Sequence, residues 1–322
     1  MTTNIAEIKN LNIVYQTKKN AFGATQNIYA VNGVDLDIKR GEILAIAGES
    51  GCGKSTLAKA IMKLVDVKSG KIIIEDRNIP DLKNQEDIRN FYKKVQMIFQ
   101  NPYSSLNPKM RIGQILAEPL EINTDLTKDE IKQKVLSTIK EVGLDESILN
   151  SYPHEFSGGQ RQRIAIARSL ILDPEFIIAD EPVSALDVSI QAQIINLLKS
   201  LKNDFNLTFL FISHDLSVIK YLSDRIAVMY LGEIIELGLT DEIFTEPKHP
   251  YTKALLSAVP EMGGNSLEKI KLQGELPSPE NLPAGCKFHT RCPYVKEICK
   301  ISMPDIKSFS ETHSCKCFLY ED

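Results

Sequence analysis

Two short stretches and one cluster of this 322-residue chain carry residue types suited to chemistry. The first stretch, Gly48-Glu49-Ser50-Gly51-Cys52-Gly53-Lys54-Ser55-Thr56, satisfies the pattern G-x-x-x-x-G-K-[ST]. Its glycines let the backbone wrap closely around phosphate groups, and the free N–H groups of a following helix supply donors and a positive dipole end. In such a loop Lys54 reaches the β- and γ-phosphates of a nucleotide and Ser55 ligates Mg²⁺. The second stretch is Asp180-Glu181, two carboxylates closing the apolar run Phe176-Ile177-Ile178-Ala179. Asp180 suits Mg²⁺, held directly or through water, and Glu181 suits orienting and deprotonating an attacking water. His214, just beyond the apolar run Phe209 to Ile212, is placed to contact the terminal phosphate or to hold that water together with Glu181. The cluster is Cys286, Cys292, Cys299, Cys315 and Cys317, five of the six cysteines, the sixth being Cys52 in the loop.

Elements of a particular kind must position these groups. Ile43-Leu44-Ala45-Ile46-Ala47 is a continuous apolar run ending in glycine, which predicts a buried parallel strand leading into a helix over about Lys54 to Val65. The runs at Phe176 and Phe209 have the same character, and Ile190, Ile194, Leu197, Leu198 and Leu201 between them fall at helical spacing. The first forty residues alternate, with strands expected over Ile5 to Tyr15 and Ala30 to Ile38 joined by Gln16 to Asn27. Residues from Asn84 onward are richer in charged helix formers, with Lys128 to Val142 the clearest helix. Prolines at Pro247, Pro250, Pro260, Pro277, Pro279 and Pro283, with Gly263-Gly264 among them, mark a loop-rich tail. The expected class is α/β: a phosphate-loop ATPase core with a mixed, largely parallel sheet, an antiparallel subdomain and a helical insertion, followed by a small loop-rich metal-binding extension. The expected boundaries are 1–245 for the core, about 84–170 for the insertion and 246–322 for the extension.

Composition narrows the partners. Lys plus Arg number 38 and Asp plus Glu 42, a net charge of −4, so no basic excess points to nucleic acid or an anionic membrane. No apolar run approaches the roughly 18 to 20 residues that span a bilayer. Met1 to Asn10 lack the pattern of a signal peptide, which places the chain in the cytosol and any membrane role with a partner. In that compartment disulfides are disfavoured, so clustered thiols suggest metal.

Phe156-Ser157-Gly158-Gly159-Gln160-Arg161-Gln162-Arg163 resembles the signature sequence of ABC-type ATPases, with Phe156 where leucine is more usual. The landmarks of that family follow in order: Gln100 after an expected strand Val95 to Phe99, Ser184-Ala185-Leu186-Asp187 after the carboxylates, and His214. The resemblance implies that Tyr15, or less well Tyr29, stacks on adenine, and that Gln100 senses the γ-phosphate through Mg²⁺ or water. It implies that Asp187 lies at a dimer interface. It also implies a head-to-tail pair, with itself or a sister ATPase subunit, in which Ser157, Gly158, Gly159 and Gln160 complete the partner's ATP site.

A narrower resemblance covers nearly the whole chain. Asn101-Pro102-Tyr103-Ser104-Ser105-Leu106-Asn107-Pro108, Tyr152-Pro153-His154-Glu155-Phe156, Glu181 to Ser189 and His249-Pro250-Tyr251-Thr252 are similar to segments of the ATP-binding subunits of oligopeptide and dipeptide importers. That family implies ATP hydrolysis driving peptide uptake through two separate permeases at the cytoplasmic face of the membrane, fed by an extracytoplasmic binding protein. Nickel importers share much of the pattern. A soluble ABC-type ATPase acting on DNA or ribosomes is the reading from another class, and the coiled-coil insertions or duplicated domains it would carry are not evident. In the peptide-importer family such a cysteine tail holds an iron–sulfur cluster, here [4Fe–4S] on Cys286, Cys292, Cys299 and Cys317. The H-x-x-x-C ending His313 to Cys317 favours Cys317, with Cys315 as substitute, and zinc or a metal-free tail are the alternatives.

Overall fold

The computed structural model describes residues 3–18, 25–258, 270 and 274–321. Part of the expected Gln16 to Asn27 connection, and Pro260, Gly263 and Gly264, lie outside the described residues. In chain order the elements are β1 (Asn4–Lys18), β2 (Thr25–Lys39), β3 (Ile43–Ala47), α1 (Lys54–Ile61), β4 (Ser69–Ile74), β5 (Arg77–Asn78), α2 (Gln85–Lys94), β6 (Val95–Ile98), α3 (Pro102–Ser105), α4 (Ile112–Asn123), α5 (Lys128–Glu141) and α6 (Gly158–Leu170). Then come β7 (Phe176–Asp180), α7 (Val188–Phe205), β8 (Thr208–Ile212), α8 (Leu216–Leu222), β9 (Arg225–Tyr230), β10 (Glu233–Leu239), α9 (Thr240–Thr245), α10 (Pro250–Ser257), β11 (Ile306–Ser308) and β12 (Ser314–Lys316). None of the described helices is long and apolar enough to cross a membrane.

The chain divides into two compact units. One comprises residues 1–5, 39–42 and 81–212. Its strands run β8-β7-β6, all parallel, with Ile178 opposite both Met97 and Leu210. β7 and β8 are buried along their whole length, as expected of apolar runs covered on both faces. β6 is the strand expected over Val95 to Phe99, one residue shorter, and the helices of residues 84–170 lie on either side of it. α5 begins at a capping box between Thr127 and Glu130 and buries Ile131, Val135 and Ile139, one stripe at helical spacing. α7 extends beyond its apolar stripe, from the N-cap Asp187 to the left-handed C-cap Asn206.

The other unit comprises residues 6–38, 43–80 and 213–322. It contains an antiparallel sheet ordered β2-β1-β4-β5 and a second run ordered β11-β12-β10-β9-β3. β3 and β9 are parallel, whereas β9 and β10 form an antiparallel hairpin, so the arrangement is mixed. Leu231 and Gly232, at φ 44° and 87°, make its two-residue turn of the kind that matches strand twist. α1 stops at Ile61, short of the expected Val65. Lys63 takes the left-handed conformation at φ 54°, and its N–H and that of Leu64 donate to Ala60 and Lys59 in a closing Schellman pair. Lys63 Nζ then donates to the carbonyls of Ile79 and Pro80, which holds the stop that no glycine announces. The extension also departs from a purely loop-rich tail. β12 pairs with β10, Cys315 opposite Glu236, and β11 pairs with β12. Three-residue strands are too short for their alternation to stand out in sequence.

Candidate nucleotide and cysteine sites

In the second unit the stretch 48–56 joins buried β3 to α1. Gly53 is the N-cap of α1 at φ 109°, and a Cβ there would lie 2.1 Å from the Ala30 carbonyl oxygen, so only glycine fits. No side chain caps α1 and no acidic residue occupies its first turn, which leaves the helix start suited to an anion. Lys54 is buried, and its Nζ donates to the carbonyls of Gly48 at 2.7 Å and Glu49 at 2.9 Å and approaches Cys52 Sγ at 3.7 Å. Burial pushes the Cys52 thiol up against the opposing pull of Lys54, so this cysteine is an inert packing residue. Ser50 and Gly51 are exposed, and Ser55 and Thr56 are half-buried in the first turn of α1. The same unit carries exposed Tyr15 on β1 and exposed His214 just ahead of α8.

Two residues that sequence reasoning did not assign to the loop also touch it. The Glu49 N–H donates to the hydroxyl of Tyr251, 2.8 Å away, and the Glu49 carboxylate receives both terminal nitrogens of Arg291, at 2.7 and 3.1 Å. Tyr251 stands in the segment His249 to Thr252 that carries the family resemblance, which was its only signal. Arg291 stands beside Cys292, and nothing in its spacing from the loop announces the pairing.

The first unit carries the carboxylates. Asp180 ends β7 and is buried. Glu181 adopts φ 46°, a conformation that costs a non-glycine residue about 1 kcal/mol. The strain is held by its N–H donating to the Ile212 carbonyl at 2.9 Å and by its own carbonyl accepting from the Ser184 hydroxyl at 3.1 Å. Gln100 Nε2 donates to Glu181 Oε2 at 2.9 Å, so these two expected catalytic residues are brought together. Ser157 is the N-cap of α6 in a capping box with Gln160. Gly159 packs so tightly that a Cβ would fall 2.5 Å from Ile190 Cγ2, so this glycine serves the α6–α7 contact. Gly158 is half-buried beside it, a Cβ there meeting Leu186 Cδ2 at 3.3 Å. Arg161 secures the start of α6: its Nε donates to Pro153 O at 2.7 Å and its guanidinium lies 4.1 Å from the Tyr103 ring centroid.

All six cysteines are free thiols. Burial pushes Cys286 up to about 11, and Cys299, Cys317 and Cys292 push it further. Burial likewise raises Cys292, with Cys299 adding, and Cys317, with Cys292 and Cys299 adding. These four sulfurs are therefore within electrostatic reach of one another. The N–H groups of Phe288, Tyr294 and Leu319 reach the sulfurs of Cys286, Cys292 and Cys317, and that of Lys296 lies 3.4 Å from Cys299 Sγ. Cys315 is raised chiefly by burial, then by Glu236, with Cys317 and Cys286 adding and Lys253 opposing. His313 Nε2 donates to Glu236 Oε1, 2.8 Å away. Among the described residues, however, no group of three or more His, Cys, Asp or Glu is arranged to hold a metal ion. The expected metal-binding character of the extension is thus not displayed by this geometry.

The sequence matches the model of the ABC transporter family over residues 31–184 and that of the oligopeptide/dipeptide transporter C-terminal region over residues 235–299. Among solved structures, a dimeric post-hydrolysis state of the ATP-binding cassette MJ0796 bound to ADP and Pi is 31% identical, with TM-score 0.65, covering 73% of this chain and 98% of that one. CbiO1 from Clostridium perfringens, part of the transporter complex cbiONQ, is 29% identical with TM-score 0.65, covering 76% of this chain and 91% of its own. The oligopeptide transport ATP-binding protein AppF of Bacillus subtilis is 50% identical over 297 residues, 91% of this chain and 90% of AppF. The dipeptide transport ATP-binding protein DppF of Haemophilus influenzae is 49% identical over 306 residues, 94% of this chain and 93% of DppF. Oligopeptide transport ATP-binding protein OppF of Escherichia coli is 47% identical over 321 residues, 97% and 95% of the two chains. With this identity sustained from the phosphate loop through the cysteine-bearing extension, the chain belongs to the family of ATP-binding subunits of oligopeptide and dipeptide ABC transporters.

Proposed function

We propose that this chain hydrolyses ATP to power peptide import through separate permease subunits, acting at the cytoplasmic face of the membrane as one of a pair of ATPase subunits. The observation that carries the reading is Lys54, a buried ammonium whose hydrogen-bond partners are two neutral loop carbonyls and a thiol. Neutral acceptors leave its charge poorly compensated, and the phosphates of a nucleotide supply the missing anion. The uncapped start of α1 fits the same group.

In this reading Lys54 exchanges its loop carbonyls for the β- and γ-phosphates, and Tyr15 stacks on the adenine. Mg²⁺, which Ser55, Asp180 and Gln100 would hold, supplies charge neutralisation on the terminal phosphates. Glu181 orients the attacking water and accepts its proton, and the Gln100 amide fixes the carboxylate that does so. His214 holds the terminal phosphate or that water. Ser157, Gly158, Gly159 and Gln160 serve the ATP site of the partner subunit, a second copy or a sister chain. ATP closes the pair, hydrolysis reopens it, and the permeases take up the motion.

Residues 1–245 form the ATPase core in this account and 246–322 the extension. The mutual electrostatic reach of four sulfurs, each with a backbone N–H, supports a [4Fe–4S] cluster, with a single Zn²⁺ or a metal-free segment as the alternatives. Such a cluster, which Cys286, Cys292, Cys299 and Cys317 would hold with Cys315 as alternative, supplies a structural cross-link. The test of the ATPase reading is Glu181→Gln. MgATP binding should persist while turnover falls by about a hundredfold or more. Unchanged turnover would remove Glu181 from the base role.

A further inference from the structure

Every polar group of Glu49 is taken: its carbonyl also accepts from the Cys52 N–H at 3.3 Å, and two of its four partners belong to the C-terminal part of the chain. The amide donates to Tyr251, the carbonyl accepts from Lys54, and the carboxylate receives the Arg291 fork. Tyr251 and Arg291 do not reach the loop as mobile surface groups. Tyr251 is fully buried, with its ring centroid 4.7 Å from that of Tyr230 and 5.5 Å from that of Phe288. Arg291 N–H donates to the Phe288 carbonyl at 3.0 Å, so the turn that presents Arg291 is anchored by an aromatic ring buried in the same cluster. The Arg291 side chain is 7% exposed and that of Glu49 30%, which limits how far solvent screens the pair.

A carboxylate inside a loop that seats a triphosphate is an electrostatic liability. Unpaired, it would repel the incoming phosphates and compete for Lys54, whose Nζ already rests on the carbonyl of the same residue. A forked guanidinium satisfies both carboxylate oxygens and cancels that charge while leaving Lys54 available. We propose that Arg291 is a positioning residue for the nucleotide site: by neutralising Glu49 it sets the loop's affinity for ATP, and through it the extension is wired directly to the phosphate loop. The inference rests on the phosphate-loop reading above and deepens it.

The test uses the purified full chain, MgATP titrated calorimetrically, and steady-state hydrolysis. Arg291→Ala should raise Kd and KM for MgATP about tenfold, about 1.4 kcal/mol, while kcat at saturating ATP stays within about twofold. Arg291→Lys, which keeps the charge and loses the fork, should stay within about threefold of the parent in Kd. Adding Glu49→Gln to Arg291→Ala removes the unpaired charge and should restore Kd to within about threefold. A purely structural role for Arg291 predicts no such rescue, and its absence would overturn the proposal, as would an unaltered Kd in Arg291→Ala. Should Arg291→Ala not fold, Glu49→Gln alone decides. It leaves Arg291 unopposed near the phosphates and should tighten MgATP binding about two- to fivefold, whereas weakening would sink the idea. Lys54→Ala separates the two levels, since MgATP binding that survives that change refutes the phosphate-loop reading itself.

Discussion

In the loop of residues 48–56 the proposed chemistry rests largely on backbone groups, whereas the proposed cluster of the cysteine-bearing C-terminal segment would rest on side chains. The loop needs glycine where the chain turns left-handed against the Ala30 carbonyl, and an uncapped helix start behind it. Such requirements admit few residue types, so they appear in sequence as a fixed pattern. The proposed cluster would need sulfurs supplied by Cys286, Cys292, Cys299 and Cys317, the last just past the end of β12, spread over more than thirty residues of chain. Many spacings can satisfy that, so the pattern identifies a kind of site without fixing its ligands. A site built on backbone geometry is therefore brittle to single substitutions, and a site built on gathered side chains loses function in steps.

The sharpest way to break this contrast is Gly53→Ala. The added Cβ meets the Ala30 carbonyl at 2.1 Å and the φ of 109° is strained for alanine, so the loop must move. MgATP affinity measured by calorimetry should fall by more than about a hundredfold. On the side-chain side, burial depresses His249 to about 4, with Lys253 pushing the same way and Glu236 opposing. His249 caps α10 as a neutral ring, its Nδ1 accepting from the Tyr251 N–H at 3.0 Å. The unfolded chain binds this proton near pH 6.5 and the folded chain only near pH 4. Stability should therefore be full above pH 6.5 and decline by up to about 3 kcal/mol as pH falls to 4. Denaturant midpoints across that window would show the slope, and His249→Asn, which keeps a cap, should flatten it.

A smaller effect is expected from Cys292→Ser. Anaerobically prepared protein should lose iron, sulfide and the absorption band near about 400 nm, with Tm lower by about 4 °C. A parent protein containing zinc and no iron would replace the cluster reading with a single-ion one. Gln100→Ala should be milder still in binding and show in turnover: kcat about tenfold lower, from loss of the amide that holds Glu181, with KM nearly unchanged. A rise in KM as large as the fall in kcat would mean that the proposed Mg²⁺ role of Gln100 outweighs its hold on Glu181.

The buried strands were legible because β3, β7 and β8 are unbroken apolar runs, and α5 and α7 because their stripes keep helical period. The early end of α1 was not, since Lys63 is an unusual residue for a left-handed stop and its support comes from the distant carbonyls of Ile79 and Pro80. Within the candidate site, motif residues 48–56 and 180–181 announced themselves. The grip of Gln100 on Glu181 and of Arg291 on Glu49 did not, because both join side chains from segments whose proximity only the fold creates. The H-x-x-x-C spacing favoured Cys317 over Cys315 but could not show their surroundings: Cys315 is paired with Glu236 on β10, and Cys317 follows the end of β12.

That pairing has a consequence for solubility. Without β11 and β12 the hairpin strand β10, seven residues and almost wholly buried, would present an open row of amide and carbonyl groups. In the full chain the outermost strand is β11, three exposed residues with Lys307 at the centre, too short and too charged to recruit another chain. The cysteine-bearing segment is thus also a border for the sheet, and chains cut before Ile306 should aggregate at β10 even when their phosphate loop is intact.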